Sequence, residues 1–179
     1  MSLKCQSSTV FPEVSTDGNE HWYYIQMQNG MAVLAARSEN SRVVTAEATE
    51  SQAKRQLWKI VAEDNNHYRL ISQGGQTLYY DVDDGMFRSK AAPTSGFAVF
   101  QIVPTTCAGY EGYELFVDKK GDSYAYLNQW GGAGVDRELG CWTKGDVNNP
   151  FQFVAEKDMM FKDTKPISVQ ETSITGTTD

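Results

Sequence analysis

The stretch Gln56-Leu57-Trp58-Lys59-Ile60 closes a sequence unit that opens at Trp22-Tyr23-Tyr24-Ile25-Gln26. Two further units repeat this pattern, the second running from 67–71 to 98–102 and the third from 112–116 to 149–153. The tyrosines that mark the three openings are separated by 45 residues each time, and they are Tyr23, Tyr68 and Tyr113. A fixed period of this length predicts a repeat architecture, here with three copies.

Within each unit, the residues predict short β-strands. Tyr, Ile, Val, Phe and Trp gather in short runs that Gly, Asn and Asp interrupt. In the second copy these runs predict strands at 67–72, 77–82, 86–90 and 97–103. Hairpin turn signals fall at Asn29-Gly30, Asp84-Gly85 and Lys120-Gly121-Asp122. Residues 46–57 are rich in helix formers, and at most a single helical turn is predicted there. About twelve short strands indicate an all-β barrel or sandwich.

Gln56-Leu57-Trp58 resembles the Gln-x-Trp signature of ricin-type lectin repeats, which form a β-trefoil in sets of three. The other two copies read Ala-x-Phe and Asn-x-Phe at the same place. The resemblance implies an all-β β-trefoil over residues 21–156, with three repeats of about 45 residues and four short strands in each. Large rings dominate burial energy, so the core is expected to contain Trp58, Phe100 and Phe151.

The segments that flank the repeats are polar. Residues 1–20 show no sustained periodicity and are predicted to form a loose arm. Residues 157–179 are predicted to be a linker or the start of a following domain, with residues 159–161 able to fold back on the barrel. Few large apolar residues lie at 163–179 to offset the entropy of ordering, so their deletion is expected to change stability little.

Charge and composition exclude several classes of partner. The formal net charge is −7 and no basic run is present, which argues against nucleic acid. No apolar stretch is long enough to cross a bilayer, so membrane insertion is not expected. The start of the chain as written lacks an apolar signal core. The resemblance nevertheless implies a secreted, periplasmic or cell-surface protein, because the third copy is similar to domains appended to secreted bacterial glycan-processing enzymes.

Three cysteines occur, at Cys5, Cys107 and Cys141. Their odd number excludes a fully paired intrachain framework, and their spacing fits no metal-binding motif. Buried free thiols are the preferred interpretation. A bridge between Cys107 and Cys141 stays open as an alternative.

Catalysis is not predicted. Histidines occur only at His21 and His67, and no nucleophile elbow, zinc motif or phosphate loop is present. The run Asp81-Val82-Asp83-Asp84-Gly85 suggests calcium, but the twelfth position of an EF-hand loop would hold Ala92, so a hairpin turn is preferred. We expect no metal, no cofactor and no enzymatic activity.

The third copy carries the residue types that sugar recognition needs. A pyranose requires an aromatic ring for its C–H face and fixed hydrogen-bonding groups for its hydroxyls. The resemblance assigns these roles to Asn128 after the second strand, Trp142 on the third strand and Asn148 before the closing segment. Gln129 and Trp130 adjoin Asn128 and are included as candidate carbohydrate-binding residues. The alternative is that Trp142 belongs to the core and that the asparagines only form turns.

The second copy offers a less complete candidate. Asp81 follows an apolar strand, as the Asp of a ricin-type repeat does, and Phe87 could supply the ring. Ala98, however, replaces the amide expected in the closing segment. The first copy keeps Gln56 but has alanines at 35 and 36, where the Asp should be.

These residues predict a non-catalytic carbohydrate-binding module that binds a mono- or oligosaccharide weakly through its third repeat. Such a module would target a larger secreted or surface glycan-processing protein to which it is fused. The alternative is a protein–protein interaction or structural spacer trefoil without a functional sugar site. A protease-inhibitor trefoil is a third class, and the absence of a long reactive loop or disulfide framework in the sequence argues against it.

Overall fold

The computed structural model describes residues 11–105 and 110–161. The described residues form thirteen strands: β1 Tyr23–Met27, β2 Val33–Ala35, β3 Ser41–Arg42, β4 Val44–Ala46, β5 Leu57–Ala62, β6 Tyr68–Ser72, β7 Thr77–Asp81, β8 Met86–Lys90, β9 Gln101–Pro104, β10 Tyr113–Phe116, β11 Tyr126–Gln129, β12 Leu139–Trp142 and β13 Phe151–Ala155. A 3₁₀ turn at Glu50–Gln52 runs into the short helix α1, Ala53–Gln56, and another 3₁₀ turn lies at Glu156–Asp158. None of these helices is long and apolar enough to cross a membrane.

Six strands close into a ring, and the same pattern of strand pairing occurs three times around it. The opening strand of each copy pairs with the closing segment of its own copy through equivalent residues, which are Tyr23 with Trp58, Tyr68 with Phe100 and Tyr113 with Phe151. Each opening strand also pairs with the closing strand of the preceding copy, so that β6 lies beside β5, β10 beside β9 and β1 beside β13. The three tyrosines occupy equivalent positions, and the fold is the predicted all-β β-trefoil.

The core is filled by the rings that close the repeats. Trp58, Phe100 and Phe151 are all buried, as predicted. The indole Nε1 of Trp58 donates a hydrogen bond to the Leu34 carbonyl at 3.1 Å, which satisfies its only polar atom inside the core. Gln56 is also buried, and its amide bonds to the main chain of residues 47 and 49, so that it ties the end of the helical turn to the segment before the turn.

Each copy also contributes a hairpin, and the three hairpins contact one another. They are built by β2 with β4, β7 with β8, and β11 with β12. Arg42 links all three copies, because its guanidinium lies 3.1 Å from Asp84 of the second copy and 2.8 Å from Glu138 of the third. The hairpins are therefore a single layer, in which a surface on one copy is supported by the other two.

Residues 11–20 do not form the loose arm that the sequence predicted. The ring of Phe11 lies 5.1 Å from that of Tyr68 and 5.6 Å from that of Tyr113, so it packs among the opening tyrosines. The main chain of this segment is also bonded to the barrel, because the Ser15 N–H donates a hydrogen bond to the Ile60 carbonyl at 2.7 Å. Aromatic burial within the ring of strands outweighs the polar character of the segment.

The segment after β13 folds back on the barrel in part. Met159 is buried, and the ring of Phe161 lies 5.9 Å from that of Tyr24, whereas Met160 is exposed. Residues 162–179 lie outside the described residues, so the predicted linker and the effect of deleting 163–179 stay predictions. Cys5 and Cys107 also lie outside them, and Cys141 is a buried free thiol.

Candidate functional site

Two exposed tryptophans mark the hairpin of the third copy. Trp130 is 48% exposed and Trp142 is 40% exposed, and their rings meet edge to face with centroids 5.9 Å apart. The ring of Tyr124, which is 48% exposed, has its centroid 5.0 Å from that of Trp142. A cluster of large exposed rings is uncommon on a protein surface, because their burial is favourable, and it indicates a binding surface.

A groove of about 400 Å³ runs beside the two indoles. Its polar wall is provided by Asn128 at the end of β11 and by Asp146 and Asn148 in the loop between β12 and β13. The structure thus brings the predicted residues Asn128, Trp130, Trp142 and Asn148 to one groove. The prediction that Trp142 belongs to the core, which stood as the alternative, is wrong.

A hydrogen-bond network under the groove fixes its polar wall. The side-chain nitrogen of Asn128 donates to Asp146 Oδ1 at 3.0 Å and to Asn149 Oδ1 at 2.8 Å. Asn149 in turn donates to Glu114 Oε2 at 2.9 Å, and the same oxygen accepts the Gly145 N–H at 3.0 Å. Glu114 and Asn149 are both buried, so the network holds the loop from below and pre-organises its polar groups.

Gln129 supports the groove from inside. It is fully buried, its Nε2 donates to the Asn29 carbonyl at 2.9 Å, and its Oε1 accepts the Gly134 N–H at 3.2 Å. The side chain of Asn29 also donates to Asn148 Oδ1 at 2.8 Å. The prediction that the Gln129 side chain contacts sugar is therefore wrong, because both ends of its amide are used within the protein.

The first copy positions the loop that carries Trp130. Thr45 Oγ1 donates to the Gly134 carbonyl at 2.6 Å and accepts the Arg137 N–H at 2.9 Å. Gly30 approaches the same loop so closely that a Cβ there would lie 2.9 Å from the Gly134 nitrogen. The turn after β1 covers residues 28–30 and so includes the predicted Asn29-Gly30 pair, and Gly30 and Met31 have positive φ of 86° and 55°.

The second copy does not form the candidate site predicted for it. Phe87 is completely buried in the core and has no face to offer a ligand. Asp81 Oδ2 lies 3.2 Å from Arg88 Nε, and Asp84 Oδ2 lies 2.5 Å from Arg88 Nη2, so these carboxylates are engaged in ion pairs across the hairpin. Strand alternation places Phe87 inward, which the sequence pattern did not reveal. Among the described residues, no cluster of three or more His, Cys, Asp or Glu side chains is arranged to hold a metal ion.

The histidines are remote from the groove. His21 Nδ1 lies 3.0 Å from Glu13 Oε2 near the N-terminal turn, and His67 Nδ1 lies 2.8 Å from the Asn65 carbonyl in the loop before β6. Both contacts are local to the loops that precede opening strands.

Three contributors to the site were not predicted. Asp146 supplies a carboxylate at the groove, Tyr124 extends the aromatic cluster, and Asn29 reaches Asn148 from another copy. Asp146 lies in Gly-Asp-Val-Asn-Asn, a run typical of turns, so its residue type and position predict a turn and not a binding role. Tyr124, which follows Asp122-Ser123, could have been selected as an aromatic outside any strand pattern.

The comparisons with known proteins support the fold. No protein-family model and no curated protein sequence matches the chain. The designed threefold symmetric protein ThreeFoil is similar in structure, with a TM-score of 0.61 at 14% identity over 74% of this chain and 97% of that one. The C-half of an earthworm R-type lectin, solved in complex with GalNAc, has a TM-score of 0.54 at 14% identity over 76% of this chain and 99% of that one. The fold of that lectin domain is a β-trefoil.

A part of a larger enzyme is also similar. The Clostridium perfringens endo-β-galactosidase that releases GlcNAcα1-4Gal has a TM-score of 0.60 at 17% identity, over 79% of this chain but only 35% of the enzyme. A mosquitocidal holotoxin matches over 17% of its length. At these identities, the similarity shows the trefoil fold alone.

Proposed function

We propose that this chain is a non-catalytic carbohydrate-binding module that binds glycan through the groove of its third repeat. One observation carries the proposal, namely that Trp130 and Trp142 are exposed beside a polar wall that contains Asn128, Asp146 and Asn148. The indoles offer apolar faces for the C–H side of a pyranose, and the wall offers fixed hydrogen-bonding groups for its hydroxyls. The lectin trefoil among the similar structures supports carbohydrate binding at the level of the fold.

The groove is shallow, so it binds a single sugar ring weakly. A dissociation constant on the order of millimolar, or about −4 kcal/mol, is expected for a monosaccharide. Retention on a glycan then depends on several contacts at once or on attachment to a second domain. The module would target a larger secreted or cell-surface glycan-processing protein, which is the role implied by its resemblance to appended trefoil domains.

A glycan array followed by titration tests this function. The full chain is first screened on an array of mono- and oligosaccharides, and binding is then measured by NMR or calorimetry for the parent and for Trp142→Ala. Loss of the indole should abolish binding, because the stacking face is removed. Trp22→Ala is the matched control, since Trp22 is half-buried outside the groove and packs near Lys59.

Two further variants locate the site. Asp81→Ala in the second copy should leave binding unchanged. Asn128→Ala should lose it, because the buried Asn128 amide holds Asp146 at the groove, with circular dichroism confirming that each variant is folded. A folded Trp142→Ala protein that binds as tightly as the parent would rule out the third-repeat site. Failure of every glycan to bind the parent would favour the alternative function, a protein–protein interaction or spacer trefoil.

A further inference from the structure

A second groove is lined by the same two indoles. Its volume is about 410 Å³, and Trp130 and Trp142 line it as they line the first groove. The second copy supplies one wall through Tyr80 and the Asp84–Met86 turn, and the third copy supplies the other through Lys119, Asp122 and Tyr124. The two indoles therefore form a ridge that is shared by the groove of the third repeat and by a groove that the second and third repeats build together.

The aromatic ridge continues from Trp130 through Trp142 to Tyr124. Trp142 is its middle member, with ring centroids 5.0 Å from Tyr124 and 5.9 Å from Trp130. Tyr124 lines only the second groove, whereas Asn128 and Asp146 line only the first. A monosaccharide held at the first groove would leave Tyr124 uncovered, but a longer glycan could stack on it as well.

The ridge is held in place by close packing. A Cβ at Gly140 would lie 3.1 Å from the Trp130 ring, 3.3 Å from the Gly85 carbonyl and 3.4 Å from Met86 Sδ. Trp130 thus packs over β12 next to the turn of the second copy, and the absence of a side chain at residue 140 permits this approach. The wall and the ridge are consequently parts of one packed layer.

From this continuity we infer that the binding surface takes a neutral oligosaccharide that crosses the ridge from the groove of the third repeat into the groove shared with the second. The inference rests on the proposed function, since it extends the same site. It assigns Tyr124 as a stacking residue for a sugar ring beyond the first, and Asp122 as an exposed acceptor for the hydroxyls of that ring.

The charges of the two grooves select a neutral chain. Lys119 Nζ lies 3.2 Å from Asp122 Oδ2 and 4.9 Å from the centre of the Tyr80 ring, so its positive charge is already compensated. Asp84 is likewise paired, with Arg42 and Arg88. Asp146 adds a carboxylate to the first groove.

The thiol of this groove adds no charge. Burial raises the pKa of Cys141 to about 12, so the thiol is neutral at neutral pH. A uronic acid or a sulfated sugar would meet carboxylates without a free cation to offset them, whereas hydroxyls can use the same carboxylates as acceptors.

Titration with oligosaccharides of increasing length tests the inference. The probes are xylo-, gluco-, manno- and galacto-oligosaccharides of one to six rings, with oligogalacturonates as the acidic counterpart. In a series that binds, the dissociation constant should fall by at least about tenfold between one ring and four rings. The reason is that, once the first ring is bound, each further ring of the same chain binds in an intramolecular step. Tyr124→Ala should remove this gain, so that four rings bind to the variant no more than about twofold more tightly than one ring does.

A second variant tests the selection against acidic chains. Asp122→Asn leaves Lys119 without its carboxylate partner, so that Lys119 can pair with a carboxylate of oligogalacturonate. Binding of oligogalacturonate should then strengthen by several-fold, which is about the contribution of one ion pair near the surface. Asp17→Asn, at an exposed turn, is the matched control and should change nothing. Stronger binding of oligogalacturonate than of the neutral series by the parent chain would overturn the neutral assignment.

The outcomes separate this inference from the proposed function. If one ring and four rings bind equally, or if Tyr124→Ala keeps the gain, the extended surface is wrong while the third-repeat site stands. If no series binds, or if Trp142→Ala binds as well as the parent, the proposed function fails and the extended surface fails with it. A length-dependent gain that depends on Tyr124 supports both.

Discussion

The side-chain nitrogen of Asn128 lies 3.0 Å from Oδ1 of Asp146 and donates a hydrogen bond to it. The resemblance to ricin-type repeats assigned Asn128 a hydrogen-bonding role at the groove, and the structure shows which group it bonds. In this protein the carboxylate of the groove comes from the following loop, and the amide is the group that can donate to it. Among the described residues, the groove therefore has one carboxylate, that of Asp146, and the Asn128 amide fixes its position.

Asn128→Asp should therefore destabilise the protein. A buried donor would become an acceptor facing Asp146 Oδ1 and Asn149 Oδ1, at an expected cost of about 1–3 kcal/mol at neutral pH. The loss should grow as the pH rises, because the new carboxyl group ionises beside Asp146. Urea unfolding between pH 4 and pH 7 measures it, with Asn19→Asp at an exposed turn as the control. Equal stability of variant and parent at pH 7 would contradict this account.

Trp58→Ala should lower the free energy of unfolding by about 3–5 kcal/mol, as expected for a large aromatic truncation in a core. Trp58 is fully buried, and its Nε1 is bonded to the Leu34 carbonyl. Unfolding followed by circular dichroism is the measurement, because tryptophan fluorescence changes with the substitution itself. Trp22→Ala, which removes a half-buried indole, should cost less. Similar losses in the two variants would show that the closing tryptophan is not central to the core.

Phe11→Ala should destabilise the trefoil by about 1–3 kcal/mol, less than a fully buried phenylalanine because the ring is partly exposed. The ring fills the space between Tyr68 and Tyr113, and its loss leaves a cavity among the opening tyrosines. Chemical denaturation gives the change, and Val82→Ala, at a side chain that is 55% exposed, serves as the control. An unchanged midpoint for Phe11→Ala would restore the loose-arm interpretation.

Asp84 should contribute to stability at neutral pH and lose that contribution in acid. Burial opposes the shift, but hydrogen bonds from Arg88, from the Met86 N–H and from Arg42 outweigh it and lower the pKa of Asp84. A lowered pKa in the folded state means that the stabilisation is present above the unfolded value of about 4 and disappears as the pH falls through the folded value.

Asp84→Asn should thus cost about 0.5–1.5 kcal/mol at pH 7, since the pairs lie near the surface, and less at pH 3. Urea unfolding across this range tests it. Asp83→Asn, at the exposed neighbouring residue, should leave the profile as in the parent. A constant difference between Asp84→Asn and the parent at every pH would indicate a packing effect rather than an electrostatic one.

The repeat was predictable because its signal is carried by large core residues at a fixed spacing. Tyr23, Tyr68 and Tyr113 pair with closing residues in the same way in all three copies. The predicted strands of the second copy agree with β6, β7 and β8 to within one residue, whereas β9 begins later, at Gln101. Helical structure at Glu50–Gln56 is limited to short turns, close to the single turn expected.

The site was predictable only where residue type and exposure coincide. Trp142, predicted from the resemblance, is exposed, whereas the side chains of Gln129 and Phe87 point inward. Whether a side chain points into or out of the core depends on strand register, and a single sequence does not reveal the register next to a turn. Phe11 was missed because the few apolar residues of this polar segment show no periodicity, although Phe11 and Val14 both pack against the core of the closed ring.

The pairing of Tyr23 with Ala155 has a consequence for biosynthesis. One edge of β1 has no partner until β13 has left the ribosome, so the barrel cannot be completed before the third repeat has emerged. Its formation must join segments from opposite ends of the described residues, a long-range closure that slows folding. During that interval the free edge of β1 is open to strands of neighbouring chains. The yield of folded protein should accordingly depend on how quickly the last repeat is delivered.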